Sequence, residues 1–356
     1  MAKTRATRGA TLNAESTRFN LAQREADGDW LDARADIDGA PPPLRTSVTV
    51  EKPRTILTRN NSPDVRFDQS VNPYRGCEHG CIYCFARPSH AFHDLSPGLD
   101  FESKLFAKPD APALLRAELK KRGYVCKPIA FGTNTDPYQP IAAQWRITRG
   151  CIEVLSACNH PITITTKSDR VTRDLDLLAP MAAKGLAAVM LSVTTLDPRT
   201  AMTVEPRATT PKRRIAAIRT LSDAGVPVLV SLAPVIPQIT DHEIEHILEL
   251  AAEAGARSAF FMPVRLPHEV APLFRAWLDT YFPDRAAKVM HTIQSIRGGR
   301  DNDPNFFTRM KGQGPWADLL RTRFNIAAKR HGLDGDRVQL RTDLFRPPPG
   351  AQGELF

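Results

Sequence analysis

Three of the six cysteines fall within one segment of eight residues. Three residues separate Cys77 from Cys81, and two separate Cys81 from Cys84, so a single loop can bring all three thiolates to one metal centre. Gly76 and Gly80 have no side chain, which lets the backbone turn tightly on either side of Cys77. The spacing therefore predicts that Cys77, Cys81 and Cys84 are metal ligands.

The number of ligands indicates which kind of metal centre this is. A structural zinc ion normally takes four protein ligands, often as two separated pairs, and no second cysteine pair follows this segment. Three thiolates fit an iron–sulfur cluster in which one iron has no cysteine ligand. The alternative is a zinc site that His79 or His90 completes.

The composition excludes several classes of protein. The chain has 356 residues and a formal net charge of +9, and it contains no run of about 18 apolar residues that would span a membrane. No apolar segment follows the basic N-terminus, as it does in a secretory signal. Six cysteines are too few for a disulfide scaffold, so we expect a cytoplasmic protein with reduced thiols. The positive charge suits a polyanionic partner such as nucleic acid, although many basic proteins bind none.

Short apolar runs alternate with amphipathic helical stretches from about residue 66 onwards. The candidate strands cover residues 128–131, 162–166, 186–193, 226–232 and 258–262. The candidate helices cover residues 148–157, 171–184, 211–224 and 241–254. This alternation predicts an α/β fold with about six βα units in a parallel sheet, either open or closed into a barrel.

The same pass along the chain divides it into four parts. Residues 1–65 are polar and rich in turn-forming residues, which predicts an irregular N-terminal extension. Residues 66–265 carry the βα units, and residues 266–342 predict a helical C-terminal extension. Residues 343–356 are rich in Pro and Gly and predict a flexible tail.

The cysteine segment and its neighbours resemble a known family. With Tyr83 as the aromatic residue, Cys-x3-Cys-x-aromatic-Cys is similar to the signature of the radical S-adenosylmethionine (radical SAM) superfamily. Other segments resemble its spore photoproduct lyase-like subgroup, which is grouped with DNA repair lyases, and the similarity covers about residues 45–300. These segments are Asn72-Pro-Tyr-Arg-Gly, Gly132-Thr-Asn-Thr-Asp-Pro-Tyr-Gln139, Thr166-Lys-Ser-Asp169, Ser192-Val-Thr-Thr, Glu205-Pro-Arg207 and Ala233-Pro-Val-Ile-Pro237.

The resemblance implies a fold, two cofactors and a reaction. The fold is a partial (β/α)6 barrel of the TIM type, in which Cys77, Cys81 and Cys84 hold a 4Fe-4S cluster. S-adenosylmethionine chelates the fourth iron and is cleaved reductively to a 5′-deoxyadenosyl radical, which abstracts hydrogen from the substrate. An electron donor such as flavodoxin or ferredoxin would supply the electron.

The substrate and the class of function stay open at this point. DNA or a nucleotide is the leading substrate class, and modification of a protein, peptide or small metabolite is the alternative. A third hypothesis is a non-catalytic iron–sulfur protein that associates with DNA.

The resemblance also implies cofactor contacts beside the cluster, because ligands bind at the carboxyl ends of the strands in such barrels. Lys167 ends one predicted strand and is a candidate for the cofactor carboxylate. Ser192 is a candidate for a ribose or carboxylate contact, and Pro234 lies where the superfamily packs the adenine. The remaining candidates at or near strand ends are Tyr83, Asn134, Thr135, Asp136, Glu205 and Arg207.

One departure from the subgroup bears on the reaction. Spore photoproduct lyases carry a hydrogen-donor cysteine just before the stretch that matches residues 134–136, and Thr133 stands at that position here. The absence of this cysteine puts photoproduct repair itself in doubt, though not the radical chemistry.

Two further features suggest contacts with DNA or its enzymes. Gln352, Leu355 and Phe356, in the peptide at residues 352–356, resemble the short motifs that dock bacterial proteins on the DNA polymerase sliding clamp. The basic run Lys212-Arg213-Arg214 is suited to contact phosphates. A solvated helix face is the more common role of such a run.

Overall fold

A sheet of mostly parallel strands forms the centre of the fold. The computed structural model describes residues 8–13, 16, 18, 44–65, 67–335 and 338–349. The strands among them are β1 (Ser47–Val50), β2 (Leu57–Arg59), β3 (Gln69–Val71), β4 (Tyr74–Arg75), β5 (Lys104–Ala107), β6 (Ile129–Phe131), β7 (Ile162–Thr166), β8 (Ala187–Ser192), β9 (Val228–Val235) and β10 (Ser258–Pro263).

Helices follow most of the parallel strands. The α-helices of the described residues are α1 (Leu99–Ser103), α2 (Ala111–Leu119), α3 (Ala142–Trp145), α4 (Ile147–Ala157), α5 (Leu175–Ala183), α6 (Pro198–Val204), α7 (Pro211–Asp223), α8 (Ile244–Glu253), α9 (Val270–Tyr281), α10 (Pro283–Ser295) and α11 (Pro315–Arg330). Short 3-10 helices cover Arg87–His93, Asp169–Asp174 and Asp241–Glu243. No helix of the described segments has both the length and the apolar composition that a membrane crossing requires.

Within the described residues the larger sheet has seven strands, in the order β10-β9-β8-β7-β6-β3-β2. Six of these strands are parallel, and β2 is antiparallel to β3 at one edge. A smaller sheet has the order β1-β5-β4. The predicted α/β fold with a parallel sheet is therefore confirmed.

The two faces of the larger sheet differ in the size of their side chains. Val71, Phe131, Ile164, Val189 and Val228 are register partners across five strands. All five are 0 % exposed and belong to the main hydrophobic core. A row so fully buried is typical of the face that the helices cover.

The opposite face carries small side chains at the corresponding positions. Ser70, Ala130, Thr163 and Ala188 are register partners on consecutive strands, and Thr163 is only partly buried. Small residues fill little of the space above the sheet. Ser70, Ala130 and Ala188 are 3–5 % exposed and lie outside the main hydrophobic core.

The N-terminal extension differs from its prediction as an irregular segment. Residues 47–50 form β1, which pairs in parallel with β5, and residues 57–59 form β2. Both strands are very short, so local patterning gives a weak signal, and the partner strand supplies the hydrogen bonds that order them.

The C-terminal region agrees with the predicted helices but differs at the start of the tail. α9, α10 and α11 lie within residues 266–342. The ring of Phe345 packs 5.6 Å from the ring of Tyr124 and 5.2 Å from that of His160, measured between centroids. The Arg346 amide donates to the Cys158 carbonyl at 2.9 Å. Residues 345–346 are thus docked on the core, because an aromatic anchor holds them, and the predicted clamp peptide lies outside the described residues.

We predict that the two faces of β7 respond differently to truncation. Ile164→Ala removes buried methyl groups from the packed row and is expected to lower the free energy of unfolding by about 2–5 kcal/mol. Thr163→Ala, one residue earlier on the opposite face of the sheet, is expected to lower the free energy of unfolding by less than about 1 kcal/mol. Denaturant titration of both variants measures the difference, and equal losses would contradict this assignment of the faces.

Candidate functional site

The three cysteines lie on one loop between β4 and the 3-10 helix at Arg87–His93. Gly76 and Gly80 have φ angles of +71° and +67°, in the left-handed region that favours glycine. A Cβ atom on Gly76 would lie 2.6 Å from Leu105 Cδ2, and one on Gly80 would lie 2.8 Å from Glu102 Oε2. The two glycines are therefore required by both conformation and packing, as their positions in the sequence predicted.

A buried arginine, Arg87, holds the backbone of the cysteine loop in place. The Arg87 side chain is 0 % exposed. It donates to the Cys81 carbonyl at 2.9 Å, the Gly80 carbonyl at 3.1 Å and the Glu102 carboxylate at 2.5 Å. Its remaining guanidinium nitrogen donates to two further backbone carbonyls. All guanidinium nitrogens are thus engaged, which fixes the path of the loop.

An N-terminal strap at residues 8–10 covers the same loop. The Gly9 and Ala10 amides donate to the Glu102 carboxylate at 2.9 and 2.7 Å. Ala10 is buried in one hydrophobic cluster with Cys81. A Cβ atom on Gly9 would lie 1.5 Å from the Gly80 carbonyl oxygen, so only glycine permits this approach. The sequence carried no signal for these contacts, because they join residues 8–10 to positions that are far away along the chain, at Gly80 and Glu102.

The thiols are free and mostly buried. Cys77 and Cys81 are 7 % and 6 % exposed, and Cys84 is partly exposed. Burial raises the pKa of the Cys81 thiol to about 12, with Glu205 and Cys84 adding to the rise and Lys167 opposing it. Burial raises the pKa of Cys77 well above its usual value, and Asp136, Cys81 and Cys84 act in the same direction.

The Cys77 and Cys81 thiols would therefore remain protonated unless a strong positive charge displaces their protons, as a bound metal does. Among the described residues, no group of three or more His, Cys, Asp or Glu side chains closes around a single ion. An iron–sulfur cluster takes each thiolate on a different iron. Three soft sulfur donors on one loop, with no disulfide between them, fit such a cluster.

The first turn of the loop is tied to the residues that follow β6. Thr135 Oγ1 donates to the Gly76 carbonyl at 2.6 Å. Gln139 accepts from the Glu78 amide at 2.8 Å and donates to Thr135 Oγ1 at 2.9 Å. Thr135, a predicted cofactor contact, thus uses its hydroxyl to hold the cysteine loop. Gln139 was not predicted as a site residue, although it lies in the segment Gly132–Gln139 that resembles the family.

Asp136 joins three elements at the same edge of the sheet. It accepts from Thr166 Oγ1 at 2.7 Å and from the Lys167 amide at 2.8 Å, and His79 Nδ1 lies 3.3 Å from its carboxylate. Burial opposes the charge, but His79 and these hydrogen bonds lower the pKa of Asp136 to about 2. Asp136 is therefore an ionised anchor between the cysteine loop, β6 and β7.

Glu205 anchors the other side of the loop. It is 2 % exposed and accepts from the Tyr83 hydroxyl, from Thr194 Oγ1 at 2.7 Å and from the guanidinium of Arg214. Burial opposes its charge, but Arg214, Lys167 and the Tyr83 hydrogen bond hold the pKa of Glu205 at about 2. Tyr83 and Glu205, two of the predicted site residues, are thus in contact.

Two basic residues near the loop pair with buried carboxylates. The Arg207 side chain contacts Glu78 at 3.0 Å, and its amide donates to the His79 carbonyl at 3.3 Å. Arg214 is 1 % exposed, so the interpretation of Lys212-Arg213-Arg214 as a solvated helix face is wrong for its last member. Arg214 points inwards because the buried Glu205 carboxylate requires a counter-charge.

Three predicted site residues keep polar groups without a hydrogen-bond partner among the described residues. These groups are the Lys167 ammonium, the Asn134 side-chain amide and the Ser192 hydroxyl. Ser192 is only 2 % exposed. Lys167 Nζ lies 5.8 Å from the centre of the Tyr83 ring. Although burial opposes its charge, Cys81 and Glu205 raise the pKa of Lys167, so it is a cation beside the cysteines.

Pro234 lies near the end of β9, next to the strand that carries Ser192. It is buried and follows a cis peptide bond from Ala233. Ser192 and Ser231 are register partners on β8 and β9, so the candidate cofactor residues of both strands lie along one edge of the sheet.

The comparisons with known proteins agree with this arrangement. A family model described as the radical SAM superfamily matches residues 71–251. The uncharacterized protein Rv2578c of Mycobacterium tuberculosis is 36% identical over 278 residues, which cover 78% of this chain and 78% of that protein. The uncharacterized protein MJ0683 of Methanocaldococcus jannaschii is 25% identical over 214 residues, which cover 60% of this chain and 76% of that protein.

Solved structures with the same fold include spore photoproduct lyase. A complex of that enzyme with dinucleoside spore photoproduct has a TM-score of 0.57 and 16% identity, covering 80% of this chain and 79% of that chain. A double mutant with bound AdoMet and dinucleoside spore photoproduct has a TM-score of 0.56 and 15% identity, covering 85% of this chain and 92% of that chain.

We predict that the buried ion pair between Arg214 and Glu205 is essential to stability. Arg214→Met leaves a buried carboxylate without its counter-charge, and the free energy of unfolding is expected to fall by about 3–5 kcal/mol. Arg213→Met is the matched control, because the neighbouring Arg213 side chain is 70% exposed in its pair with Asp169. The control is expected to cost at most about 1 kcal/mol. Similar unfolding curves for both variants would show that Arg214 is not the counter-charge of Glu205.

Proposed function

The chain belongs to the radical SAM superfamily, and from this premise we propose that it cleaves S-adenosylmethionine reductively at a 4Fe-4S cluster held by Cys77, Cys81 and Cys84. When bound, this cluster would supply the electron and one open iron, and the resulting 5′-deoxyadenosyl radical would abstract hydrogen from the substrate. The observation that carries the proposal is a loop with three free thiols, two of them buried, beside a cation that no described residue neutralises by a hydrogen bond.

The side chains with free polar groups are the ones we assign to the cofactor. Lys167 would bind the carboxylate of S-adenosylmethionine, because its ammonium lies beside the cysteines and carries a positive charge. Asn134 would contact the amino group and Ser192 the ribose, and Pro234 would present an apolar surface to the adenine. Two observations support these assignments. The residues lie at the edge where the strands end, and the polar groups of Lys167, Asn134 and Ser192 have no hydrogen-bond partner among the described residues.

The side chains that are fully bonded to protein are assigned a positioning role. Thr135, Asp136, Glu205 and Arg207 hold the cysteine loop against β6, β7 and β8. Tyr83 shares this role, since its hydroxyl donates to Glu205. They would keep the thiols in place during the reaction without contacting the cofactor themselves.

We also infer that the six parallel strands curve into a partial (β/α)6 barrel. The small residues on the face away from the helices, such as Ala130, Thr163 and Ala188, would line its interior. The space that they leave would hold S-adenosylmethionine and the substrate.

For the substrate we propose DNA or a nucleotide. The fold shared with an enzyme solved in complex with dinucleoside spore photoproduct and the net charge of +9 support this class. The reaction would differ from photoproduct repair, because Thr133 replaces the donor cysteine and its hydroxyl is 3.0 Å from Asn72 Nδ2. A flavodoxin or ferredoxin in the cytoplasm would supply the electron, and clamp docking through residues 352–356 stays a prediction.

We predict that anaerobic reconstitution with iron and sulfide, followed by reduction, yields a protein that forms 5′-deoxyadenosine from S-adenosylmethionine. Cys81→Ala removes one thiolate from the loop, and its product is expected to fall to the level of a reaction without protein. Mass spectrometry measures the product, and iron and sulfide content are measured on the same samples.

Cys151→Ala is the matched control, because Cys151 is fully buried on α4 and lies outside the loop. This variant is expected to keep both its iron and its activity. A wild-type protein loaded with iron and sulfide that forms no more product than Cys81→Ala would refute the proposed reaction.

A further inference from the structure

Two adjoining cavities lie beside the cysteine loop. Their volumes are about 260 and 480 Å³, and they share Arg170 and Arg173 in their walls. We call the combined surface the arginine groove. Its described lining includes six arginines, which are Arg146, Arg149, Arg170, Arg173, Arg207 and Arg213.

The groove is strongly positive. Its acidic lining residues are Asp169 and Asp174, and both are already engaged, with Arg213 and Arg149 respectively. Arg146, Arg170 and Arg173 have no ion-pair or hydrogen-bond partner for their guanidinium groups among the described residues. These three guanidinium groups line the cavities, and an anion bound there would offset their mutual repulsion.

The position of the groove connects it with the proposed site. His79, in the cysteine loop between Cys77 and Cys81, lines one cavity, and so does Ser168, which follows Lys167. Arg207 lines the same cavity while its side chain pairs with Glu78 of the loop. An anion in the groove would therefore lie at the rim of the space where the strands end.

We propose that the arginine groove binds the phosphodiester backbone of a nucleic acid strand and leads it to the site. The destination of the strand rests on the proposed function, whereas the binding of the strand to the groove does not depend on that function. Guanidinium groups match phosphate geometry in a bidentate manner. Three of the six arginines are already paired with carboxylates, and the three unpaired ones, Arg146, Arg170 and Arg173, extend over the two cavities. Consecutive phosphates of a strand are the ligand that this extended lining fits.

The test compares two double variants of the full chain. In Arg170→Gln/Arg173→Gln the groove loses two unpaired charges that hold nothing else in the fold. In Arg122→Gln/Arg330→Gln the chain loses two exposed charges near the opposite edge of the sheet, where β6 and β10 begin. Fluorescence anisotropy with a labelled oligothymidylate of about 12 nucleotides measures binding at several salt concentrations.

The groove variant is expected to bind the strand at least about tenfold more weakly than wild type. The slope of log Kobs against log salt concentration is expected to fall in magnitude by about 1.4, because two phosphate contacts to a single strand are lost. The opposite-edge variant is expected to match wild type within about twofold. Equal losses in both variants, or none in the groove variant, would overturn the proposal.

Thymidine monophosphate and inorganic phosphate are added as competitors to separate a strand site from a single-phosphate site. Displacement of the oligonucleotide by either one at comparable concentration would overturn the strand assignment. Formation of 5′-deoxyadenosine is measured separately on both variants. If the wild type binds the oligonucleotide but forms no 5′-deoxyadenosine, the proposed reaction alone is refuted. If only the opposite-edge variant loses oligonucleotide binding, the groove proposal alone is refuted.

Discussion

The buried ion pairs Arg87–Glu102 and Arg214–Glu205 hold the cysteine loop from two sides, and the site depends on them. Each carboxylate is 2 % exposed or less and would be costly to bury without its guanidinium partner. Arg87 fixes the backbone at Gly80 and Cys81, and Glu205 fixes Tyr83. Among the described residues no further metal-ligating side chain joins the three cysteines at one ion, so these ion pairs are what position the loop.

The charges around the thiols complement what the loop is proposed to bind. Asp136 and Glu205 are ionised, and hydrogen bonds from protein groups hold both carboxylates. Lys167 carries a charge beside Cys81 without a hydrogen-bond partner among the described residues. Ionised thiolates would gain from this cation, and so would a carboxylate ligand next to them. The arginine groove extends the same positive potential outwards along the rim.

Much of the site was accessible from the sequence because its signals are local. The cysteine spacing and the glycines lie within one short segment whose pattern predicts them, and the candidate polar residues at the strand ends follow from the family resemblance. The sequence does not show that Arg214 is buried and its neighbour Arg213 exposed, because that difference depends on where the Glu205 carboxylate lies in space. The contact of Gly9 with Gly80 and the docking of Phe345 join distant parts of the chain, and periodicity carries no information on such contacts.

The central claim is that three thiolates leave one iron of the cluster open for S-adenosylmethionine. The most direct test is electron paramagnetic resonance of the reduced, reconstituted protein before and after S-adenosylmethionine is added, with the methionine carboxylate labelled with ¹⁷O. Our account predicts a changed cluster spectrum whose lines broaden with the labelled compound, because the carboxylate binds iron directly. An identical spectrum with and without S-adenosylmethionine, in a protein that contains the reduced cluster, would contradict it.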